Sequence, residues 1–154
     1  MKPDVPFIAV DPSLHVDNVV YLHGKWIWQR EGVKACGSEN QLTAESSFST
    51  SPSNDSRLKK QQSSIIMRYN SAKRVHGIVG PSDNKTARIE VKLDKNYLKE
   101  EQLGKDMRLK DGVSYCDIQW PFIHNLVRTE KAEVHEIEII PKTDNVVFYT
   151  FVFG

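Results

Sequence analysis

The sequence predicts an all-β protein, an antiparallel β-sandwich or jelly roll of about eight or nine strands. Short runs of β-branched and aromatic residues follow one another through much of the 154-residue chain, separated by turn signals such as Gly-Pro-Ser-Asp at 80–83. The run at 86–94 alternates apolar with charged side chains, as a strand does when one face lies in the core and the other in water. Only the short segment 95–107 has a helical pattern.

The first part of the chain contains one strand pattern and one long polar segment. Residues 1–18 hold three of the seven prolines and are expected to form an extended lead-in. Residues 19–29 have the pattern of a strand, with a bend or bulge at Gly24. Residues 37–63 contain eight serines and few large apolar side chains, so they bury too little surface to offset the entropy of ordering. We therefore expect a mobile Ser-rich insertion at 37–63 within a single β-sandwich domain at 19–154.

The remaining strands are expected in close succession. In the last run, 145–153, apolar residues occupy both faces, so this strand should lie centrally in its sheet and be covered on both sides. The other runs lie at 64–70, 73–80, 86–94, 112–118 and 132–140.

The charge and hydropathy of the chain argue against two classes of partner. Lysine and arginine number 21 against 20 acidic residues, and this near-balance argues against the basic excess that nucleic-acid binding requires. No stretch approaches the roughly 20 apolar residues of a membrane span, and the N-terminal segment lacks the apolar core of a signal peptide. The chain as given is expected to be cytoplasmic, or extracytoplasmic if it is a fragment of a membrane-anchored protein.

No residue pattern in the chain indicates catalysis or metal binding. A nucleophile elbow, a glycine-rich phosphate loop and an H-E-x-x-H motif are all missing from the sequence. His135 would share a strand face with Ile137 and Ile139, which favours a hydrogen-bonded, half-buried role over metal ligation. No catalytic residue, metal ligand or cofactor is therefore assigned, and the chain by itself is not expected to be an enzyme. The histidines, none at metal-binding spacing from another, are His15, His23, His76, His124 and His135.

The two cysteines, Cys36 and Cys116, leave a redox function open but least favoured. They are too few for a disulfide scaffold, and no C-x-x-C motif marks a thioredoxin-like redox pair. Two free thiols, at least one of them buried, are favoured over one disulfide between them. Asp117 should raise the pKa of the neighbouring Cys116 thiol, which disfavours nucleophilic chemistry there.

Aromatic residues give the strongest indication of ligand binding. Trp26 and Trp28 point to the same strand face and are expected in the core. Trp120 precedes Pro121, where the chain must leave regular strand pairing, so its ring is the better candidate for a binding platform at a loop edge. His124 and Asn125 follow as polar neighbours. These three residues, Trp120, His124 and Asn125, are the candidate ligand-binding set.

From residue 19 onward, the order of short motifs is similar to that of the C-terminal β-sandwich domain of DipZ-type thioredoxin-like proteins. The match ends at the aromatic-Gly segment 149–154. One departure is that Phe122 and His124 stand where the family usually has an arginine and a tyrosine. The matching landmarks lie at 22–26, 72–75, 79–80, 91–94, 104–106, 125–127, 135–137 and 149–154.

This resemblance implies a jelly-roll sandwich like those of carbohydrate-binding modules, acting as a non-catalytic accessory to a redoxin domain. It implies a glycan as the ligand, or alternatively a redoxin-domain partner that the module docks or orients without binding sugar. No redoxin domain with its cysteine motif lies within this chain, so redox activity is carried over to no residue here.

Overall fold

The computed structural model describes residues 5–10, 12, 14–36 and 63–154, and these form ten β-strands and one turn of 3₁₀ helix. The turn of helix is Glu100–Gln102. The strands are β1 (Pro6–Ala9), β2 (Val20–Trp28), β3 (Val33–Ala35), β4 (Ser64–Pro81), β5 (Ala87–Leu93), β6 (Asn96–Tyr97), β7 (Arg108–Lys110), β8 (Val113–Ile118), β9 (Phe122–Pro141) and β10 (Val146–Phe153).

The strands pair in the order β1-β2-β3-β10-β4-β9-β5-β8-β7, and every paired neighbour is antiparallel. The long strands β4 and β9 form the centre. The first half of β4 pairs with β2 and with the last part of β9, whereas its second half pairs with β10 and with the first part of β9. The two halves of this bent pair therefore contribute to the two layers, and the predicted all-β antiparallel sandwich is confirmed.

The bend in β4 explains why the sequence suggested two strands there. Three register shifts against β9 lie between Tyr69 and His76, and Ser71 between them has a left-handed φ of 67°. Bulges of this kind increase the local twist and bend the strand without ending it. Residues 64–70 and 73–80 are consequently parts of one strand. For the same reason β9 begins at Phe122, ten residues before the expected run at 132–140.

The core lies between the layers and is built from alternating residues of the strands. In β5, Ala87, Ile89 and Val91 are fully buried, which confirms the alternation at 86–94. Tyr69 and Trp26 are the largest side chains in the core. The Trp26 ring nitrogen donates to the carbonyl of His23 at 2.8 Å, so this buried indole satisfies its one donor.

Several expected elements have different limits or surroundings in the structure. The helical pattern at 95–107 forms β6 and a single 3₁₀ turn, because Asp94 and Lys95 both have left-handed backbone (φ of 53° and 69°) that turns the chain back along β5. The last strand, β10, does lie centrally between β3 and β4. It is covered on both sides only at Val146–Phe148, since Val152 remains 38% exposed.

Gly24 forms the expected bend in β2. It has a φ of +92°, and a side chain at this position would meet the backbone of Ser63 at 2.7 Å. Ser63 in turn bonds through its hydroxyl to both the N–H and the carbonyl of Lys25. The backbone at Gly24 therefore approaches the start of β4 as closely as only a glycine allows.

Two expectations fall wholly or partly outside the described residues. The mobile Ser-rich insertion at 37–63 lies outside them except for Ser63, and the domain limits of 19–154 stay a prediction. Part of the extended lead-in is described, and Pro6–Ala9 within it pairs with β2 as the edge strand β1. In the part of the chain that the structure describes, no helix has the length and hydropathy needed to cross a membrane.

Candidate functional site

Trp120 lies in the bend between β8 and β9, with 61% of its surface exposed. Phe122, the first residue of β9, is 58% exposed. The expectation that Trp120 stands at an exposed loop edge is therefore correct in position. Phe122 was noted in the sequence only as a departure from the family pattern, and the structure adds it as a second exposed aromatic side chain two residues after Trp120.

His124 lies against Phe122. Its Nδ1 is 2.8 Å from the carbonyl oxygen of Phe122, and because a carbonyl can only accept, this nitrogen carries the proton. The two rings meet edge to face with their centroids 6.3 Å apart. The ring of His124 is thus held in one orientation, with Nε2 as its free acceptor in the neutral form.

Asn125 does not join this group. Successive residues of a strand point to opposite faces, so Asn125 and His124 lie on different sides of β9. A carboxylate oxygen of Asp106 accepts from the backbone N–H of Asn125 at 2.7 Å and from its side-chain amide at 3.2 Å. The predicted set is therefore divided: His124 contacts Phe122, Trp120 lies two residues before Phe122 in the chain, and Asn125 fixes the loop that carries Asp106.

A cleft of about 540 Å³ lies between β2, the turn that follows it and β10, and we call it the Trp28–Tyr149 cleft. Its walls include the aromatic rings of Trp28, Phe148 and Tyr149, and its lining is more apolar than polar. Gln29, Arg30 and Glu31 supply the polar groups. A concave, mostly apolar site with a few polar groups is the usual form of a small-molecule binding site.

Two local features of the backbone shape this cleft. The turn after β2 closes by a bond from the N–H of Gln29 to the carbonyl of Gly32, and a side chain on Gly32 would overlap the carbonyl oxygen of Phe148. Opposite the turn, the register of β10 against β4 shifts between Phe148 and Thr150, so Tyr149 is a bulged residue. Bulges re-aim side chains and are frequent beside functional sites.

Trp28 forms a wall of the cleft and has an unusual polar environment. One face of its ring stacks on Phe7, with centroids 5.7 Å apart and an interplanar angle of 15°. Its ring nitrogen is buried and has no hydrogen-bond partner among the described residues, in contrast to that of Trp26. A buried donor without an acceptor costs roughly 1–3 kcal/mol. Because this nitrogen is closed to solvent, a ligand oxygen would reach it only after the surrounding side chains move.

The sequence placed Trp26 and Trp28 together in the core, and this is correct only for Trp26. Trp26 is fully buried, whereas Trp28 is half-buried at the end of the same strand. The signal that could have separated them is the segment Gln29–Gly32, whose polar residues and glycine mark the strand end directly after Trp28.

Two histidine–carboxylate pairs lie outside the cleft lining. His135 Nδ1 is 2.7 Å from a carboxylate oxygen of Asp94, and its side chain is 15% exposed, so the expected hydrogen-bonded, half-buried role is confirmed. His15 Nδ1 lies 2.7 Å from the carboxylate of Glu136. Within the described ranges, no three histidine, cysteine or acidic side chains are grouped as a metal ion would require.

The profile of one protein family matches residues 47–154, and that family is described as the thioredoxin-like C-terminal domain. The match covers well over half of the chain. The chain belongs to this family.

The fold of this thioredoxin-like C-terminal domain is also found in solved carbohydrate esterases. It is similar to an active-site mutant of a family two carbohydrate esterase from Clostridium thermocellum, with a TM-score of 0.56, 12% identity and 88% of this chain covered. It is also similar to a family two carbohydrate esterase from Cellvibrio japonicus, with a TM-score of 0.54, 12% identity and 97% covered. The chain spans 31% and 32% of these two structures, and at such identity the likeness shows the fold alone.

A third similar structure is the Clostridium thermocellum enzyme in complex with cellohexaose, with a TM-score of 0.49 and 12% identity over 80% of this chain and 27% of that one. A comparison by sequence with curated proteins finds no match.

The two cysteines of this thioredoxin-like C-terminal domain are both free thiols. Cys116 is 1% exposed, and burial, followed by the charges of Asp106 and Asp117, raises the pKa of its thiol to about 12. The expected effect of Asp117 on this pKa is therefore present, although burial contributes more. Cys116 has the environment of a structural thiol and not that of a nucleophile.

We predict that Cys116 resists thiol reagents in the folded protein. At pH 8 a group with a pKa of about 12 remains protonated, so iodoacetamide should label half-buried Cys36 and modify Cys116 only in denaturant. The folded pKa exceeds the ordinary value of 9.0, so the protonated thiol favours the folded state, and this contribution is lost as pH rises from 9.0 to about 12. Mass spectrometry of labelled peptides, with Cys36→Ser as the control, measures how far each cysteine has reacted with iodoacetamide. Faster labelling of Cys116 than of Cys36 would restore the redox hypothesis.

Proposed function

We propose that this chain is the non-catalytic accessory module of a DipZ-type thioredoxin-like protein, and that it binds carbohydrate in the Trp28–Tyr149 cleft. Membership of the thioredoxin-like C-terminal domain family supports the accessory role. The observation that carries the choice of ligand is the aromatic lining of the cleft, to which Trp28 contributes its ring. The ring nitrogen of Trp28 is buried and unpartnered among the described residues, which supports this choice.

The chemistry of the cleft suits a saccharide. The C–H faces of a sugar ring are apolar and pack on aromatic rings, while its hydroxyl groups need donors and acceptors placed around them. The cleft combines aromatic surface from Trp28 and Tyr149 with the polar side chains of Gln29, Arg30 and Glu31. If the side chains around Trp28 shift when sugar binds, a hydroxyl oxygen could accept from its ring nitrogen and satisfy this buried donor.

The charges at the rim favour a neutral sugar. Arg30 and Glu31 are adjacent and opposite in sign, so together they add no net charge to the cleft. Opposite charges can each hydrogen-bond a hydroxyl group, as donor and as acceptor, without selecting a charged ligand.

The proposal predicts that Trp28→Phe weakens glycan binding while keeping an aromatic ring against Phe7. Loss of one neutral hydrogen bond should lower affinity up to about tenfold. Glycan-array screening of the wild-type domain would select the ligand, and isothermal titration calorimetry would compare the variants. Trp120→Ala is the matched control, because this exposed tryptophan lies outside the cleft. Equal affinity of Trp28→Phe and wild type for the selected glycan would exclude the proposed contact.

The second candidate function is docking of a thioredoxin-like domain, and the exposed aromatic pair Trp120 and Phe122 favours it. Tryptophan is enriched among the residues that dominate protein interfaces. His124 would add a polar contact beside the pair, as the sequence predicted for a binding edge. Titration of wild type and Trp120→Ala with the redoxin domain of a DipZ-type protein tests this: binding that is lost in the variant, with no response to any glycan, would replace the carbohydrate proposal.

A further inference from the structure

A second cleft, of about 510 Å³, lies on β9 away from the aromatic one, and positive side chains dominate it. Arg74 of β4, Arg128 of β9 and Lys105 of the loop between the 3₁₀ turn and β7 line it. Glu100 is the one acidic residue among the described residues that line it. We call this the arginine cleft. The whole chain has a formal net charge of only +1, so this concentration of positive charge is local.

The two arginines are direct neighbours on adjacent strands. Arg74 and Arg128 are directly paired in the register of β4 and β9, where side chains lie about 5 Å apart at their Cβ atoms. Like charges in this position destabilise a sheet, since each raises the free energy of the other. Both arginines are exposed, so solvent screens this repulsion and its cost is small.

Although Glu100 lines the same cleft, acidic side chains in the described part of the chain hold none of these positive charges in a close ion pair. There, Arg74, Arg128 and Lys105 form no ion pair, whereas Arg68 binds Asp17 at 2.9 Å and Arg88 binds Asp117 at 2.7 Å. An oxygen of Gly154, the last residue of the sequence, accepts from the backbone N–H groups of Lys73 and Arg74.

The loop that closes the arginine cleft is held rigidly against β9. The N–H of Gly104 donates to the carbonyl of Leu126 at 3.0 Å, and Asp106 accepts from Asn125 in two places. A side chain on Gly104 would overlap the carbonyl oxygen of Asn125, so the loop approaches β9 as closely as only glycine permits. The cations are therefore carried by a preformed wall, which limits the entropy lost when a ligand binds.

We propose that the arginine cleft binds an oxyanion, a carboxylate, sulfate or phosphate group carried by a ligand. Guanidinium groups bind such anions through parallel N–H donors, and two of them on paired strands can hold one anion from both sides. The anion would remove the repulsion between Arg74 and Arg128. This site is separate from the Trp28–Tyr149 cleft and does not depend on the saccharide proposal.

Calorimetric titration of the full chain with three probes tests the proposal and distinguishes the sources of the anion. The probes are a galacturonic acid oligosaccharide for carboxylate, a sulfated oligosaccharide for sulfate, and inorganic phosphate. At least one should bind, with an affinity that falls as NaCl is raised. Arg74→Gln and Arg128→Gln should each weaken binding by about tenfold or more, as expected for loss of a charged hydrogen bond.

The controls separate a built site from general attraction to a basic protein. Arg108→Gln removes the same charge from an exposed position on β7 outside the cleft, and it should change affinity less than about twofold. Trp28→Phe should have no effect on anion binding. The unfolding midpoint of Arg128→Gln should equal or exceed that of wild type, because the variant relieves repulsion. Binding of none of the probes, or an equal loss in Arg108→Gln, would overturn the proposal.

Discussion

Ile89→Asp is expected to unfold the domain. Ile89 is completely buried in β5, opposite Cys116 of β8 on one side and Pro141 of β9 on the other. The change removes a core side chain, at about 2–5 kcal/mol, and buries a carboxylate without a partner, at several kcal/mol more. Their sum reaches the total stability of about 5–15 kcal/mol typical of a domain. Circular dichroism should show loss of the cooperative thermal transition.

Ile8→Asp is the matched control for this experiment. It makes the same substitution in β1 at an isoleucine that is 72% exposed, so its charge remains in water. We expect its unfolding midpoint to lie close to that of wild type. An unchanged transition in Ile89→Asp would mean that the two faces of β5 are assigned in reverse.

Gly104→Ala is expected to give the second largest loss of stability. The new Cβ would overlap both the carbonyl oxygen and the carbonyl carbon of Asn125, and these are backbone atoms that cannot rotate away. The loop must therefore separate from β9, which breaks the bond between Gly104 and Leu126. We expect a loss of about 3 kcal/mol in the free energy of unfolding, measured by chemical denaturation.

Gly112→Ala distinguishes this clash from the general cost of replacing a glycine. Gly112 has a φ of +77°, and among the described residues no atom lies within 4 Å of the position that a Cβ would take. Alanine there therefore meets only backbone strain, of about 1 kcal/mol. Equal effects of the two substitutions would show that the contact between the loop and β9 is looser than the structure indicates. The loop variant should also lose oxyanion binding, since Lys105 moves with Gly104.

The sequence was sufficient to predict the fold because the strand signals are local. The alternation through Ile89 and Val91 identifies a strand with one buried face, whatever it pairs with. The continuity of β4 and β9 could not be predicted in the same way. Their bulges depend on pairing between residues far apart in the chain, such as Tyr69 with His135, and a local pattern interrupted by Ser71 suggests two strands.

The candidate sites were harder to predict than the fold. Trp120 could be placed at an exposed edge because Pro121 follows it, and this is a local signal. Trp28 was not distinguished from Trp26 because the two share a strand face, and only the polar segment Gln29–Gly32 marks Trp28 as the end of the strand. The repulsive pair Arg74 and Arg128 lies 54 positions apart in the sequence and depends on register alone.

Carbohydrate binding is tested most directly by recording which indole N–H signal moves when a glycan is titrated into ¹⁵N-labelled protein. The chain has three tryptophans, so its spectrum contains three indole signals, which Trp28→Phe and Trp120→Phe would assign. We predict a saturable shift of the Trp28 signal, as its donor gains an acceptor, with the Trp120 signal unchanged. A shift confined to Trp120, or three unmoved signals with every glycan tested, would contradict carbohydrate binding in the Trp28–Tyr149 cleft.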